Sequence, residues 1–287
     1  MSKVDRILLS TVSLLLMLTL IAWFFAISVQ SEFEVIFLDV GQGDATLFSF
    51  RDGSRMLVDC GRDRVVLQGL GRSLPFFERT IDILAVTHPD VDHFGGCIDV
   101  LERFDVGQVW ISSTDGDDKQ WDEFLALAHE PTIIKEPQER IFGGATVSIL
   151  YPDIDITASS TIKSNNKSLV LRVQADFSVL LTGDAEVSLE EYLSTTYGSK
   201  MHSDILQVGH HGSNTSSIEP FIEVVSPEIS VVSAGKNNRY GHPTKRVLAR
   251  LKRASSTIFR TDQQGDIICK IEDSDKPACV ARKNLIY

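Results

Sequence analysis

The chain lacks any excess of positive charge. Its 287 residues include 28 lysines and arginines against 39 aspartates and glutamates, which gives a formal net charge of −11. This balance excludes a protein coated in basic residues for holding nucleic acid. Low-complexity tracts and short-period repeats are also missing, so disordered and solenoid proteins are disfavoured. The length and apolar content predict one globular unit with a substantial core.

Only one long apolar run is present, and it lies at the N-terminus. Ile7–Val29 is long enough to cross a bilayer as a helix, and Lys3 and Arg6 precede it. The position of these basic residues places the N-terminus in the cytoplasm and everything after Gln30 on the outer side. We therefore predict a cytoplasmic tail over residues 1–6, a single membrane span over 7–29 and one exported domain over 30–287.

A cleaved signal peptide is the alternative reading of the same run. Ala26-Ile27-Ser28 has the small-x-small pattern of a cleavage site. The run is longer than the usual apolar core of a signal peptide, which favours the anchor. The domain is expected outside the cytoplasmic membrane in both cases, as a tethered protein or as a secreted one.

Cysteine is scarce. The four cysteines are Cys60, Cys97, Cys269 and Cys279. An exported domain folds where disulfides can form. Cys269 with Cys279 is the first pair to consider, because the two flank one short C-terminal segment, but the sequence leaves the pairing open.

The segment Thr87–Gly96 concentrates two histidines and two aspartates in six positions: His88, Asp90, Asp92 and His93. The apolar run Ile81–Val86 before it predicts a buried strand, and its paired glycines open a predicted helix over Phe94–Phe104. A loop between them can aim one His/Asp pair at each of two metal ions. Because neighbouring divalent ions can activate water and hold both oxygens of a displacement, this spacing indicates a two-metal hydrolase.

Three later segments carry the same residue types directly after predicted strands. Asp184 ends an apolar strand, where its carboxylate could bridge two cations, although a strand-ending aspartate is more often a turn residue or a helix cap. His210 and His211 follow a third strand between glycines. His242 stands in a Gly-His-Pro sequence after a fourth strand.

Strands and helices are predicted in both halves of the chain, and together they favour two sheets packed face to face with helices outside. The predicted strands are Glu34–Val40, Ala45–Phe50, Arg55–Asp59, Ile81–Val86, Val109–Ser112, Thr132–Ile134, a hairpin over Ile141–Leu150, Ser168–Val173, Phe177–Thr182, Ile205–Val208 and Ile229–Ser233. The predicted helices are Val65–Glu78, Phe94–Phe104, Trp121–His129, Glu186–Tyr197, Ile218–Val225 and Lys245–Arg253. A polar loop is expected over Tyr151–Asn166.

Taken together, these motifs resemble the metallo-β-lactamase-fold domain of ComEC-type competence DNA-uptake proteins. The resemblance covers about Glu34 to Ile271. It rests on Phe37–Ala45, Val58–Gly61, His88–His93, Asn166 with Ser168–Leu171, Leu181–Asp184, Gly209–Ser213 and Tyr240–Pro243. It implies an α/β protein with an αββα sandwich and a dinuclear metal site at the sheet edge.

The chain departs from the wider superfamily at two ligand positions. The usual signature is His-x-His-x-Asp-His, and Asp90 stands where the second histidine is expected. An isolated third-motif histidine is missing, with Asn166 or Ser168 near its place. A carboxylate in place of an imidazole shifts the preference from Zn²⁺ toward Mn²⁺ or Mg²⁺. The sequence therefore leaves both the metal and the number of ions, one or two, open.

The resemblance also implies a role for each candidate residue. One ion is assigned to His88, Asp90 and Asp184, and the other to Asp92, His93, Asp184 and His242. Asp92 alternatively orients water. Of His210 and His211, one completes a metal shell and the other donates a proton. Asp59, Asn166 and Ser168 are expected to orient ligands. Ser213, Asn214 and Arg239 are expected to contact substrate phosphate, although the first two also fit a plain turn.

The resulting expectation is metal-assisted hydrolysis of DNA outside the membrane. The expected partners are the membrane, DNA and a separate channel protein, since ComEC-type proteins carry this domain beside a multi-span channel and a single span is predicted here. Two alternatives stay open. A small-molecule hydrolase of the same fold, acting on a lactone, thioester or phosphoester, suits the acidic charge. A non-catalytic tethered binding protein is disfavoured by the retained ligand set.

Overall fold

Two β-sheets lie face to face and enclose the largest cluster of buried apolar side chains. The computed structural model describes residues 3–28, 32–116, 118–153, 162–272 and 275–283. Within these residues the first sheet has eight strands and the second has seven. The part of the predicted polar loop between residues 154 and 161 lies outside the described residues, as do residues 1–2, 29–31 and 284–287.

The first sheet contains the first and the last strand of the described residues. Its strands are β1 (Glu34–Phe37), β2 (Thr46–Ser49), β3 (Arg55–Val58), β4 (Thr80–Val86), β5 (Asp105–Ile111), β6 (Thr132–Ile133), β14 (Asp266–Ile271) and β15 (Pro277–Arg282). Their order across the sheet is β15-β14-β1-β2-β3-β4-β5-β6. Strands β3 to β6 run parallel to one another, whereas β1 and β2 pair antiparallel.

The second sheet contains the middle of the chain. Its strands are β7 (Gln138–Phe142), β8 (Ala145–Tyr151), β9 (Val170–Gln174), β10 (Ser178–Leu181), β11 (Ile205–Gln207), β12 (Ile229–Val232) and β13 (Thr257–Arg260). The helices are α1 (Lys3–Ser28), α2 (Val65–Ser73), α3 (Val91–Arg103), α4 (Lys119–Leu127), α5 (Val187–Tyr197), α6 (Glu219–Val225), α7 (Lys245–Arg253) and α8 (Thr261–Gln264). Strands β10 to β13 are parallel, so they end at one edge.

Alternating side chains of β4 show how the layers are built. Ile83 and Ala85 point into the core between the sheets, while Leu84 and Val86 point to the core under α2, α3 and α4. Helices α5 to α7 cover the outer face of the second sheet through two further apolar clusters. Because a strand side chain alternates with period two, such doubly buried strands read as continuous apolar runs. The predicted αββα sandwich is confirmed.

Helix α3 begins earlier than the sequence predicted. It starts at Val91 rather than at Phe94, so Asp92 and His93 lie in its first turn and not in the preceding loop. The paired glycines are inside the helix. A Cβ atom on Gly96 would lie 2.3 Å from the carbonyl oxygen of Cys60. The glycine therefore permits close packing against the segment after β3 and does not open the helix. The predicted helix Val65–Glu78 was too long, because α2 ends at Ser73.

The C-terminal strands were not predicted. Strand β13 extends the second sheet beside β12, and β14 pairs antiparallel with β1 in the first sheet. Cys269 faces Cys279 across β14 and β15, and the two form a disulfide, as expected. A second disulfide joins Cys60 to Cys97.

Helix α1 is the one described helix that is long and apolar enough to cross a membrane. Its apolar window covers Lys3–Ile21, with a mean hydropathy of 1.9 and no part of it buried in the protein. The helix contains most of the predicted span over residues 7–29, of which residue 29 lies outside the described residues.

Two buried ionisable side chains hold the segment before α6. The carboxylate of Glu190 accepts hydrogen bonds from the backbone N–H groups of Ser217 at 2.6 Å and Ile218 at 2.9 Å. The guanidinium of Arg250 donates to the carbonyl oxygens of Ser216 and Ser217 from the other side. Arg250 is thus largely buried.

We predict that Glu190→Gln makes the stability of the protein less sensitive to pH. Burial is the largest cause that raises the pKa of Glu190 to about 7, against the opposing hydrogen bonds from Ile218 and Ser217. Because the unfolded chain releases this proton first, the free energy of unfolding of the wild type falls as the pH rises from about 4.5 to about 7, by on the order of 3 kcal/mol. Glutamine has no such proton.

Thermal unfolding in detergent from about pH 5 to pH 8 measures this difference. As the pH rises, the melting temperature of the wild type should fall relative to that of the variant. Parallel curves for the two proteins across this range would contradict the prediction.

Candidate metal centre

The ligand-type side chains converge at one edge of the sandwich. His88 follows β4, Asp184 follows β10, and His210 and His211 follow β11. Parallel strands end at a common edge, so loops that are distant in sequence meet there. His242 reaches the same place from the loop between β12 and α7.

His88, His93 and Asp184 form one fully buried group. Their ligand atoms lie within 4.8 Å of one another, close enough to hold one metal ion. His93 Nε2 is 3.2 Å from Asp184 Oδ1, and the ring centroids of His88 and His93 are 4.2 Å apart. Both imidazoles are fully buried.

A second group shares residues with the first. The ligand atoms of Asp92, His93 and His211 also lie within 4.8 Å of one another, and so do those of Asp44, Asp184 and His211. His211 Nε2 lies 3.5 Å from Asp92 Oδ2 and 3.7 Å from Asp184 Oδ1. Asp184 therefore stands between the two groups, where one carboxylate could serve two ions.

His88, His93, His211 and Asp184 contribute four buried atoms that have no hydrogen-bond partner: Nε2 of each histidine and Oδ1 of the aspartate. Buried polar atoms are almost always paired in folded proteins, because desolvation without a partner is unfavourable. A divalent cation bound among them would satisfy all four. The mixture of imidazole and carboxylate donors suits Zn²⁺ or Mn²⁺, so the described residues fit such an ion.

The carboxylate of Asp59 orients both histidines of the first group. Oδ1 accepts from the backbone N–H of Thr87 at 2.7 Å, and Oδ2 accepts from the Thr87 hydroxyl at 2.8 Å. Oδ2 also lies 2.8 Å from His93 Nδ1. The Thr87 hydroxyl oxygen is 3.0 Å from His88 Nδ1. With Nδ1 engaged, each ring presents Nε2 to the metal position.

The turn Gly183-Asp184 needs its glycine. Gly183 has φ of +51°, and a Cβ there would lie 2.8 Å from the Ser168 hydroxyl oxygen. That hydroxyl accepts from the backbone N–H of Asp184 at 3.0 Å and donates to the carbonyl oxygen of Asn165. Ser168 thus fixes the backbone of the bridging aspartate.

The structure distinguishes the two adjacent histidines. Both have left-handed backbone conformations, with φ of 50° and 53°. His211 is buried, and its Nδ1 lies 3.1 Å from the carbonyl oxygen of Ser233, which leaves Nε2 facing the aspartates. The side chain of His210 is 21% exposed, and its Nδ1 lies 3.1 Å from the Thr215 hydroxyl.

Opposite charges keep the carboxylates of the site ionised. Burial by itself would raise the pKa of Asp184, but the charges of His211 and His93 hold it well below the ordinary value. The pKa of Asp92 is lowered too: burial opposes this, and the contact with His211 and the charge of His93 outweigh it. Burial is also the main reason that the pKa of His242 is lowered, with His210 adding to the effect.

A cavity of about 200 Å³ opens over the site. Its lining residues are Gln42, Asp90, Asp92, Asn165, Asp184, His210, His211, Tyr240 and His242. Asp90 is at the solvent side, 3.6 Å from His88 Nε2 through its Oδ2, and it accepts a hydrogen bond from the Ser164 hydroxyl. The cavity is the route by which a substrate would reach the buried ligands.

The histidine that lies beside Asp92 and Asp184 in the structure differs from the one that the sequence analysis assigned. His211, not His242, is the histidine beside Asp92 and Asp184. The ring of His242 lies 5.7 Å from that of His210 and stacks on Tyr240 at 5.8 Å, at the cavity wall. The spacing along the chain did not contain this information, because three histidines in two loops can be ordered in several ways around an ion.

The residues predicted to support ligands or to bind substrate have mixed positions. The amide of Asn166 does not face the metal cluster, because it bonds the backbone N–H of Glu186 and the Ser188 hydroxyl. Ser213 bonds Thr215 within its own turn, and Asn214 is exposed. Arg239 lies over the ring of Tyr240, with its Cζ 4.9 Å from the centroid.

Sequence reasoning missed Asp44 and Asn165. Asp44 is buried, its Oδ1 lies 3.4 Å from His211 Nδ1, and its backbone N–H donates to the carbonyl oxygen of Asp92. The amide of Asn165 lies 3.4 Å from His210 Nδ1. The available signal was an aspartate in the glycine-rich segment Gly41–Asp44, which places a carboxylate next to backbone that packs closely.

Residues 38–236 match the profile of the metallo-beta-lactamase superfamily. The chain is 32% identical over 256 residues to ComE operon protein 3 of Bacillus subtilis, an alignment that covers 83% of this chain and 33% of that protein. It is 34% identical over 239 residues to competence protein ComA of Neisseria gonorrhoeae, covering 82% of this chain and 32% of that protein. The chain thus spans about a third of the length of these relatives.

Among solved structures, CmlA, a diiron β-hydroxylase from Streptomyces venezuelae, superposes with a TM-score of 0.56. The sequence identity is 15%, and the match covers 84% of this chain and 55% of CmlA. At this identity the likeness concerns the fold alone.

We predict that Asp184→Asn removes most of the bound metal. The substitution takes away the carboxylate that lies between both ligand groups, and an amide is a weaker ligand for a divalent ion. Elemental analysis of the purified protein, after dialysis with Mn²⁺ or Zn²⁺, should show at least a tenfold loss of affinity. Asn166→Ala is the matched control and should retain the metal of the wild type. Equal metal content in Asp184→Asn and in the control would contradict the assignment.

We predict that removing the Cys60–Cys97 disulfide weakens metal binding. The backbone N–H of Cys60 donates to the carbonyl oxygen of His93, and Cys97 lies one turn after His93 in α3. The pair closes a loop with a sequence separation of 37, so its loss should destabilise the fold by about 3–4 kcal/mol. The measurements are thermal unfolding and metal titration of a Cys60→Ala/Cys97→Ala double variant.

A Cys269→Ala/Cys279→Ala double variant is the control, because its disulfide lies across β14 and β15. It should lose stability and keep its metal affinity. If both variants bind metal equally well, the first disulfide does not hold the ligand helix.

Proposed function

The chain belongs to the metallo-β-lactamase superfamily of hydrolases, and on that premise we propose that it is a metal-dependent phosphodiesterase that cleaves DNA outside the cytoplasmic membrane. The resemblance that the motifs predicted is confirmed by the family match and by the competence proteins among the relatives. The observation that carries the proposal is the set of four unpaired ligand atoms of His88, His93, Asp184 and His211 below an open cavity.

His88, His93, Asp92, Asp184 and His211 would hold the ions, and Asp90 would complete a shell from the solvent side. A bound divalent ion supplies Lewis-acid polarisation of a phosphoryl oxygen and makes water more acidic. The identity of the metal, Mn²⁺, Zn²⁺ or Mg²⁺, is part of the test below.

His210 is the residue that we assign to proton transfer. It lines the cavity and is partly exposed, and its Nε2 lies 3.6 Å from Asp184 Oδ2. Thr215 and Asn165 hold its ring from the other side. A histidine so placed can protonate the leaving alkoxide of a phosphodiester while the buried His211 stays a ligand.

The choice of DNA rests on the likeness to ComEC-type competence DNA-uptake proteins, which the relatives ComE operon protein 3 and competence protein ComA support. The whole chain has a formal charge of −11, which opposes nonspecific binding to a polyanion. Near the cavity, however, Arg239 and Tyr240 offer a cation and an exposed aromatic ring. These two groups suit a short single-stranded segment, whose phosphate and base they could contact.

The location follows from α1. If α1 spans the cytoplasmic membrane, Lys3 and Arg6 place the N-terminus inside and the hydrolase domain outside. We propose a single-pass anchor, and a secreted form after cleavage is the alternative. The chain spans about a third of the length of these relatives, and a membrane channel is the further partner that we propose.

A small-molecule hydrolase is the second candidate. The cavity of about 200 Å³ is small for a polymer, and the acidic surface disfavours nucleic acid. A lactone, thioester or phosphoester of low molecular weight would fit the same ligands. A non-catalytic binding protein is disfavoured, because it would have no need for the buried unpaired ligand atoms.

We predict that His210→Gln lowers kcat for DNA hydrolysis by about 10²–10⁴-fold while metal content stays at the wild-type level. His211→Gln should instead lose metal and activity together. The full-length protein in detergent is assayed on single- and double-stranded DNA with Mn²⁺, Mg²⁺ and Zn²⁺, and on lactone, thioester and small phosphodiester substrates. Asn166→Ala is the active control.

Each outcome separates the candidates. Cleavage of DNA that His210→Gln abolishes supports the nuclease. Hydrolysis of small substrates only, with DNA left intact, supports the second candidate. Wild-type activity in both histidine variants would overturn the proposed site.

A further inference from the structure

A turn on the first sheet exposes two phenylalanines. The backbone N–H of Glu78 donates to the carbonyl oxygen of Pro75, which leaves Phe76 and Phe77 at the corner. Their residue surfaces are 92% and 85% exposed, the highest values among the large apolar residues described, those of α1 included. Exposed apolar groups of this size mark contact surfaces when they are grouped.

A groove continues from this turn. It has a volume of about 490 Å³ and is lined by Leu67, Leu70, Gly71, Leu74, Pro75, Phe76, Arg79, Arg103 and Phe104. The guanidinium of Arg79 stands 5.8 Å from the ring centroid of Phe104. The lining thus combines apolar side chains with two arginines, a composition that suits the boundary between lipid headgroups and acyl chains.

The turn lies at the edge where the chain enters the domain. Glu78 forms an ion pair with Arg55 at the start of β3, with 3.1 Å between Oε2 and Nη1. Arg55 faces Ser49 on β2, and Ser49 faces Glu34 at the start of β1. Since neighbouring strands are about 4.8 Å apart, Arg55 lies on the order of 10 Å from Glu34.

The entry point is tied closely to α1. Helix α1 ends at Ser28, and Phe33 is already buried in the core between the sheets. Five peptide steps connect these two residues, and an extended chain spans at most about 3.6 Å per residue. Phe33 therefore lies within about 18 Å of the end of α1.

We infer that the exposed Phe76–Phe77 turn docks on the lipid surface of the bilayer that α1 crosses. The short connection brings the β1 entry edge to the membrane, and the turn is on that edge. The two phenylalanines enter the headgroup–acyl boundary as a second attachment beside α1. This inference rests on α1 as a retained anchor and is independent of the proposed catalytic activity.

Docking by this edge turns the metal site away from the membrane. Strand β4 starts two residues after Glu78 and ends two residues before His88. Its seven residues rise about 3.3 Å each, so the metal ligands lie about 20 Å from the docking turn. The cavity then opens toward the aqueous side, where a soluble polymer could enter.

The test is photocrosslinking of the full chain in vesicles of phosphatidylethanolamine and phosphatidylglycerol. A benzoylphenylalanine replaces Phe77 in one variant and Tyr240, an exposed residue at the cavity over the metal site, in the control. After irradiation, mass spectrometry of the intact protein identifies lipid adducts. Position 77 should give severalfold more lipid adduct than position 240, and Phe76→Ser beside the probe should lower the yield.

Three outcomes would overturn the inference. Equal lipid adducts at the two positions would show that the turn is not at the membrane. Chain-to-chain adducts from position 77, at twice the protein mass, would identify a second copy as the occupant. A mature protein that lacks α1 would remove the tether. None of these results depends on hydrolysis, so a failure of the nuclease assignment is recognised separately.

Discussion

The carboxylate of Asp59 is the contact on which the geometry of the site depends. It binds the backbone and hydroxyl of Thr87 and lies 2.8 Å from His93 Nδ1, so one buried group aligns the end of β4 with the first turn of α3. A buried carboxylate needs such hydrogen-bond partners to offset its desolvation. Because Asp59 itself has φ of 58°, its backbone is held in a sparsely populated conformation by the surrounding packing. The Cys60–Cys97 disulfide fixes the next residue to the same helix.

The sandwich provides the rigidity that this contact requires. Both sheets are covered by helices, so strands such as β4 are buried on both faces and position their ends firmly. The ligands come from the ends of strands in both sheets, and Asp184 joins the two halves through its contacts with His93 and His211. Buried histidines and aspartates in these numbers stabilise one another electrostatically, and they leave atoms that only a cation would satisfy.

The prediction of the fold succeeded where apolar runs and turn residues coincide. β4, β10 and α7 were predicted within one or two residues, because their patterns are continuous and bounded. The start of α3 was misplaced, since the glycines there serve a tertiary contact with the Cys60 carbonyl that no local pattern shows. The C-terminal strands were missed because β14 pairs with β1, more than two hundred residues earlier, and such pairing is nonlocal.

The sequence by itself determined the residue types of the site and the presence of one apolar helix, because these follow from composition and spacing, and its motifs carried the resemblance to a hydrolase family. Only the tertiary structure decided which histidine faces which aspartate, that Asp44 and Asn165 join the site, and that Phe76 and Phe77 share an edge with the entry of the chain. The physical reason is that side-chain distances across loops depend on how parallel strands are ordered within sheets, and linear spacing does not encode that order.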